Sequence, residues 1–322
     1  MAMFVDFHTH LLPGLDDGVQ GWDEALVLLR QAEADGTTQL VLTPHFWPGV
    51  YQPTPALIDQ RLRDLAERVQ LAGLTLQLYA GVEAYLTPDL PQLVKSGAVR
   101  PLGTTISSPS PTTEATEISP VSPSGGRAIA GGTTVGGATP PGSSPGARPL
   151  QYLLVELPAH DYPDYAEHVL FRLQTQGVIP ILAHPERNSY LSEVPERSVG
   201  LAERGVLFQL NSGSLTGHFG HRTKRAAVFL LSAGLVHFLG SDAHSSHRPP
   251  LLSSASQTVA EVAGSANARL ITWDNPLAAL AGRPVVNPAP AAHKEALSGI
   301  AAAQAAEPRQ PWWRGLLGGR RR

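Results

Sequence analysis

Two periods alternate along the chain. Residues 22–36, WDEALVLLRQAEADG, and 55–73, PALIDQRLRDLAERVQLAG, place apolar positions three and four apart and end at a glycine, which predicts amphipathic helices. Between helical stretches lie short runs rich in aliphatic and β-branched residues: MFVDF (3–7), TQLVLT (38–43), LQLYAG (76–81), YLLVEL (152–157), IPILA (179–183), LFQLN (207–211) and VHFLGS (236–241). Strands that alternate with helices need crossover connections, so the pattern predicts seven parallel strands.

Composition changes the picture in two places. Between Gly103 and Arg148, 32 of 46 residues are Pro, Gly, Ser or Thr and the few aliphatics show no period. A segment of this kind buries too little apolar surface to offset its ordering entropy, and a disordered insertion is expected. From Asn287 to Arg322 the chain is Ala/Pro-rich and closes on PWWRGLLGGRRR, a second unpacked stretch by the same argument. The expected organisation is thus one domain over 1–286, interrupted at 103–148, with a tail over 287–322. The 240 residues outside the two biased stretches match the ~250 of a single (β/α) barrel.

Charge and cysteine narrow the function classes. A net charge of −3 makes nucleic acid no obvious partner. With no cysteine, disulfide frameworks, thiolate-ligated zinc and thiolate nucleophiles are excluded. No apolar run approaches the ~20 residues of a membrane span and MAMFVDFHTH is unlike a signal peptide, so a cytoplasmic location is expected. Trp312 and Trp313 with Arg314, Arg320, Arg321 and Arg322 leave room for weak contact with an anionic membrane surface, although a solvated basic tail is the simpler reading.

Candidate chemistry gathers where the strands end. His8 and His10 follow the first, His45 the second, Glu83 the third, Glu156 the fourth, His184 the fifth, and Asp242 and His244 the seventh; Asp16 and Asp17 lie in the loop after the first. Catalytic groups of parallel barrels converge at that rim. A lone strand-end histidine is usually structural, but H-x-H offers two imidazoles on one strand face. Carboxylates gathered this densely repel one another unless cations separate them. Imidazole and carboxylate donors without sulfur suit manganese, iron or zinc, and their number exceeds the needs of one ion, so two or three divalent ions are expected. His160, His218, His221 and His247 read as exposed loop residues, and NSGSLTG as the turn after the sixth strand.

Taken together, DFHTHLLPGLDDG, LTPHF, AGVEAYL, LLVELP, AHPERN, LNSGSLTGHFG and GSDAHSSHRPP resemble the bacterial protein-tyrosine phosphatases of the polymerase and histidinol phosphatase (PHP) superfamily, manganese-dependent enzymes that control capsule and exopolysaccharide synthesis. The resemblance implies a distorted seven-stranded (β/α) TIM-like barrel and hydrolysis of phosphotyrosine on a bacterial tyrosine kinase, with no covalent phosphoenzyme. It also implies three metal sites: His8, His10, Glu83 and Asp242; bridging Glu83 with Glu156 and His184; and Asp17, His45 and His244. Arg187 and Arg248 match the family's phosphate-binding arginines, with a salt bridge to a ligand carboxylate as their structural alternative. The insertion replaces a short turn before the fourth strand, which raises the expectation that it alters loops near the substrate.

Three other readings use the same residues. A histidinol-phosphate or other small-molecule phosphatase keeps the site and changes the substrate. An amidohydrolase needs a bridging lysine where this chain has Glu156 and a histidine where it has Asn211. A non-catalytic metal-binding or kinase-docking module would not be expected to keep every ligand.

Overall fold

A computed structural model describes residues 3–102 and 149–291. The insertion and the tail beyond Ala291 lie outside the described residues, as do the Trp312, Trp313 and arginine positions. No helix among the described residues is long and apolar enough to cross a membrane.

The fold is mixed α/β with parallel sheets. The described residues form nine strands: β1 (Phe4–Thr9), β2 (Thr37–Leu42), β3 (His45–Phe46), β4 (Gln77–Ala80), β5 (Glu83–Tyr85), β6 (Gln151–Glu156), β7 (Val178–Ala183), β8 (Leu207–Asn211) and β9 (Phe238–Gly240). Between and after them run α1 (Trp22–Asp35), α2 (Pro55–Leu71), α3 (Leu90–Lys95), α4 (Ala166–Thr175), α5 (Ser189–Glu193), α6 (Arg197–Glu203), α7 (Ser212–Thr216), α8 (Gly220–Ser232), α9 (Ser253–Ala263), α10 (Ser265–Arg269) and α11 (Asn275–Leu280). Every one of the seven apolar runs lies in a strand. The count rises to nine because two runs continue after a break, β2 into β3 and β4 into β5. Pro44 sits at the first break and has no N–H to give to a ladder. Gly81 and Val82 sit opposite, where Gly81 N–H bonds to Leu42 O and Glu83 N–H to Pro44 O.

One sheet runs β1-β2-β4 and the other β3-β5-β6-β7-β8-β9, all pairs parallel. β9 returns to β1: Asp242 N–H bonds to His8 O at 2.8 Å and His10 N–H to Ala243 O at 2.8 Å. Local chemistry explains the helices. α1 stops at Gly36, whose φ of 104° lets its N–H reach the carbonyls of Ala32 and Glu33. α2 starts at Pro55 behind Thr54, whose side chain accepts the Leu57 N–H.

The strands separate two apolar layers. Along β6, Leu153 and Val155 pack outward in one cluster with Val169 and Leu173 of α4. Tyr152 and Leu154 point inward to Val41, Ile181, Phe7 and Phe238, and the last two rings stack at 4.1 Å. Glu156 follows at the top of the same inward row.

The insertion is attached at the other end. Leu102 pairs with Tyr152 at the start of β6 through two backbone hydrogen bonds, and Leu150 N–H bonds to Gly282 O. Four strand residues, ~13 Å, separate that point from Glu156. The two ends therefore leave the described fold away from the donor rim, because a crossover returns the chain to the strand starts before the next strand begins; what the insertion does to loops near the substrate lies outside the described residues. The tail boundary also shifts: residues 287–291 pack on the protein, with His237 Nε2 3.0 Å from Asn287 Oδ1, and Ala291 N–H on Ser232 O.

Candidate metal centre

β1 supplies the first two donors, by a route other than simple alternation. Asp6 pairs with Leu40 and Thr9 with Leu42, so β1 spends three steps where β2 spends two. This bulge lets Phe7 face the apolar interior while His8 and His10 both face the centre. Two glycines make the approach possible. A Cβ on Gly240 would lie 2.6 Å from His8 Cβ, and one on Gly18 would lie 2.1 Å from His10 O. At the ends of β7 and β9, His184 and Asp242 adopt φ of 30° and 54°. Such left-handed backbone costs a non-glycine residue ~1–3 kcal/mol and aims both side chains inward.

All nine expected donors meet at one place. Their atoms fall into three groups, each within 4.8 Å: His8, Glu83, His184 and Asp242; His10, Asp17, His45 and His244; and His45, Glu83 and Glu156. Glu83 is central. Its Oε2 lies 3.1 Å from His8 Nε2, 3.2 Å from His10 Nε2 and 3.1 Å from His45 Nδ1, while Oε1 lies 3.0 Å from His184 Nε2. Asp17 Oδ1 is 3.5 Å from both His45 Nε2 and His244 Nε2. Donors around one ion with ~2.1 Å bonds stand ~3.0–3.4 Å apart, and the four contacts of Glu83 with histidine nitrogens, 3.0–3.2 Å, have that spacing. The grouping differs from the implied one in three members: His184 stands with His8, His10 stands with Asp17 while keeping its contact with Glu83, and His45 joins Glu83 and Glu156 as well as Asp17.

Hydrogen bonds fix which nitrogens face inward. His8 Nδ1 donates to Gln209 Oε1 at 2.9 Å, His10 Nδ1 to Asp16 Oδ2 at 2.7 Å and His244 Nδ1 to the Asp242 carbonyl at 2.9 Å. Each thereby turns Nε2 toward the centre, the arrangement typical of metal-ligating histidines. His8 Nε2 and His10 Nε2 then face each other at 3.0 Å. Two such lone pairs repel unless a cation, proton or metal, joins them. Glu83 Oε2 and His45 Nδ1 are moreover buried with no hydrogen-bond partner. An orphaned carboxylate oxygen ringed by three imidazole nitrogens is the observation that fits these residues to divalent ions.

Electrostatics agree. Burial works against ionising Glu83, yet the fields of His8 and His45 and hydrogen bonds from His10 and His184 hold its carboxyl well below the usual range. Asp242 is buried too, and His8, His10 and Arg248 hold it well below its ordinary value. A hydrogen bond from His244 leads the causes that bring Asp17 to about 2. Glu156 goes the other way: burial, then the charges of Glu83 and Asp242, pushes it up to about 9. A fourth carboxylate is thus refused a negative charge until more positive charge arrives.

The profile of the family described as "Capsular polysaccharide synthesis, CpsB/CapC" matches residues 4–107 and 147–281. The chain belongs to this family. It is 29% identical over 240 residues to the tyrosine-protein phosphatase YwqE of Bacillus subtilis (strain 168), covering 74% of this chain and 77% of that protein. With the tyrosine-protein phosphatase CpsB of Streptococcus pneumoniae it shares 24% identity over 278 residues, 84% of this chain and 96% of that one. A solved structure from work on YwqE and CpsB, described as "unique metal-dependent tyrosine phosphatases", superposes with a TM-score of 0.71 at 26% identity, covering 89% of this chain and 98% of that chain.

In this CpsB/CapC-family chain both arginines bind Asp242. Arg187 Nη1 lies 2.5 Å from Oδ2, Arg248 Nη2 contacts the same oxygen, and Asn211 Nδ2 donates to it at 2.9 Å. The salt-bridge alternative is therefore what the geometry contains, and Oδ1 is left to the histidines. The guanidiniums stay 30% and 25% exposed.

Several functional neighbours escaped the sequence reading. Gln209 and Asn211 orient donors, and a signal existed for both as inward alternates on β8; Asp16, already placed at the rim by the sequence, turns out to orient His10. Phe219, with Arg187 4.3 Å above its ring, gave none. NSGSLTG forms α7 instead of a plain turn, because the Asn211 side chain caps it by accepting the Gly213 N–H. The four set-aside histidines are exposed and join no donor group among the described residues.

Proposed function

We propose that this protein is a metal-dependent protein-tyrosine phosphatase, acting in the cytoplasm on phosphotyrosine of a bacterial tyrosine kinase that controls capsule or exopolysaccharide synthesis. The observation that carries the reading is Glu83, a buried carboxylate with both oxygens shared among four histidines from three different strand ends and no cysteine anywhere in the chain. The fold is read as a distorted seven-stranded barrel in which β3 and β5 continue β2 and β4. The barrel forms one domain that tolerates an insertion before its fourth strand.

In this reading His10, which also lies 3.2 Å from Glu83 and 3.4 Å from Asp242, joins them and His8 around one ion; His184, 3.0 Å from Glu83 and 4.0 Å from Glu156, holds a second with those two; and Asp17, His45 and His244 hold a third, with manganese preferred over iron or zinc. When bound, divalent ions supply water of lowered pKa and neutralise phosphoryl oxygens. The chain supplies the rest. Arg187 and Arg248, each partly open to solvent, present planar donor forks to a phosphate, a geometry an ammonium cannot reproduce. Asp242 holds both forks in place. For the aryl ring, Trp47 stacks on Tyr85 at 4.3 Å and Tyr51 lies parallel to His45 at 6.1 Å, a half-exposed aromatic wall beside the donors. A long phosphotyrosine reaches the centre from such an open rim more easily than phosphoserine, and its phenolate leaves more readily than an alkoxide.

The test is a comparison of substrates on metal-loaded protein with metal analysis of the same sample. kcat/KM for a phosphotyrosine peptide is expected to exceed that for the matched phosphoserine peptide and for histidinol phosphate at least tenfold. A higher value for histidinol phosphate would establish the small-molecule reading in its place.

A further inference from the structure

Beside the centre, on the far side of Arg248, is a cavity of about 190 Å³ whose lining includes Thr216 of α7, Phe219 before α8, Arg248, Pro249 and Leu251. Arg248 is its shared wall. One terminal nitrogen is on Asp242, whereas its Nε is buried with no hydrogen-bond partner. Phe219 likewise serves both sides, lying under Arg187 at 4.3 Å and Arg248 at 5.8 Å. At the mouth Leu251 is 43% exposed, a large apolar side chain left in water.

Exposed basic residues follow on α8, the helix that begins directly after the cavity residue Phe219. Arg222, Lys224 and Arg225 are exposed, and among the described residues none has a carboxylate within ion-pair distance. A Cβ on Gly217 would lie 3.7 Å from Lys224 Cδ, so the lysine stem crosses the end of α7 next to Thr216. Cations in the first turns of a helix oppose its dipole. Helix stability does not explain them, but an anionic ligand does.

We propose that this cleft is a second substrate subsite: it takes an apolar side chain within two residues of the phosphotyrosine, while Arg222, Lys224 and Arg225 pair with acidic groups of the same peptide. The inference rests on the phosphatase reading above and adds a sequence preference to it. Continuity argues for a peptide as occupant, because the guanidinium proposed to hold phosphate also forms the cavity wall. In an extended peptide the side chain two positions on is ~7 Å away, within reach of the cavity.

Binding, read by fluorescence anisotropy on the metal-loaded full chain, tests this without turnover. One probe carries a non-hydrolysable phosphonate analogue of phosphotyrosine with Leu two positions away and two Glu beyond; the control has Ser and Lys there. The first is expected to bind at least tenfold tighter. Leu251→Asp, and separately Arg222→Glu with Lys224→Glu, should each reduce that preference below threefold while p-nitrophenyl phosphate hydrolysis stays within twofold. All three side chains are exposed, and the charge reversals serve as an independent check on the leucine variant. Equal binding of the two probes by the wild-type protein, or a preference that survives both variants, would overturn the subsite. Failure of the wild-type protein to hydrolyse any phosphotyrosine peptide would overturn the phosphatase reading, a result separate from the binding measurement.

Discussion

The interior of the strand array has two halves that obey different rules. In the lower half, Val41, Leu154, Ile181, Phe7 and Phe238 fill the space between strands with apolar side chains in regular alternation. In the upper half the residues are charged, and almost every one reaches its place through a departure from regular structure: a bulge before His8, a break at Pro44, left-handed backbone at His184 and Asp242. The lower half is held by apolar burial and ring stacking. The upper half stores strain and like charge that only bound cations relieve, so folding and function are supported by different layers of the same strands.

Glu83→Ala attacks that division where it is sharpest. The upper half loses the oxygens shared by four histidines, and we expect metal content to drop and turnover to fall at least a thousandfold, while the metal-free protein keeps its circular dichroism and melting cooperativity. Retention of half the activity in added manganese would show that the ions are not held as proposed. Phe238→Ala attacks the lower half. Losing a ring that is fully buried and stacked on Phe7 should cost ~3–5 kcal/mol in denaturant unfolding, with metal stoichiometry unchanged in the folded fraction. A metal-poor but fully stable variant would dissolve the distinction between halves.

The smallest effect sharpens the comparison with a titrating group remote from the donors. His237 is held neutral: burial lowers its pKa, its Nδ1 accepts the Phe208 N–H, and Nε2 donates to Asn287. The unfolded chain binds the proton more readily, so this histidine contributes stability that is present above pH ~6.5 and lost as pH falls toward its lower folded value. In metal-free protein His237→Gln should therefore lower the melting temperature by more at pH 7.5 than at pH 5.5. An equal effect at the two pH values would show that this histidine carries no pH-dependent stability.

Legibility in the sequence followed the same division. The seven apolar runs and the glycine-terminated helices α1 and α2 were readable because alternation and helical period are properties of the regular half. The donors were readable as residue types at strand ends. Their placement was not, since donors from distant strands meet only in the fold and two of them depend on a bulge that no local pattern announces. The arginines were legible as forks for an anion, but their shared partner Asp242 lies 55 and 6 residues away in sequence. Phe219 was invisible for a related reason: a single aromatic in a loop says nothing about which cation it will lie beneath.

The antiparallel bridge between Leu102 and Tyr152 has an engineering reading as well as a structural one. It fixes the residues on either side of the 103–148 segment at the starts of the strands, so that the chain leaves and re-enters the fold at one place, away from the donors. Closure entropy grows only with the logarithm of length, and going from four residues to the present 46 costs ~2 kcal/mol. An engineer who replaces this segment with a short linker, or grafts a tag in its place, is thus expected to obtain a folded protein with its metal content unchanged.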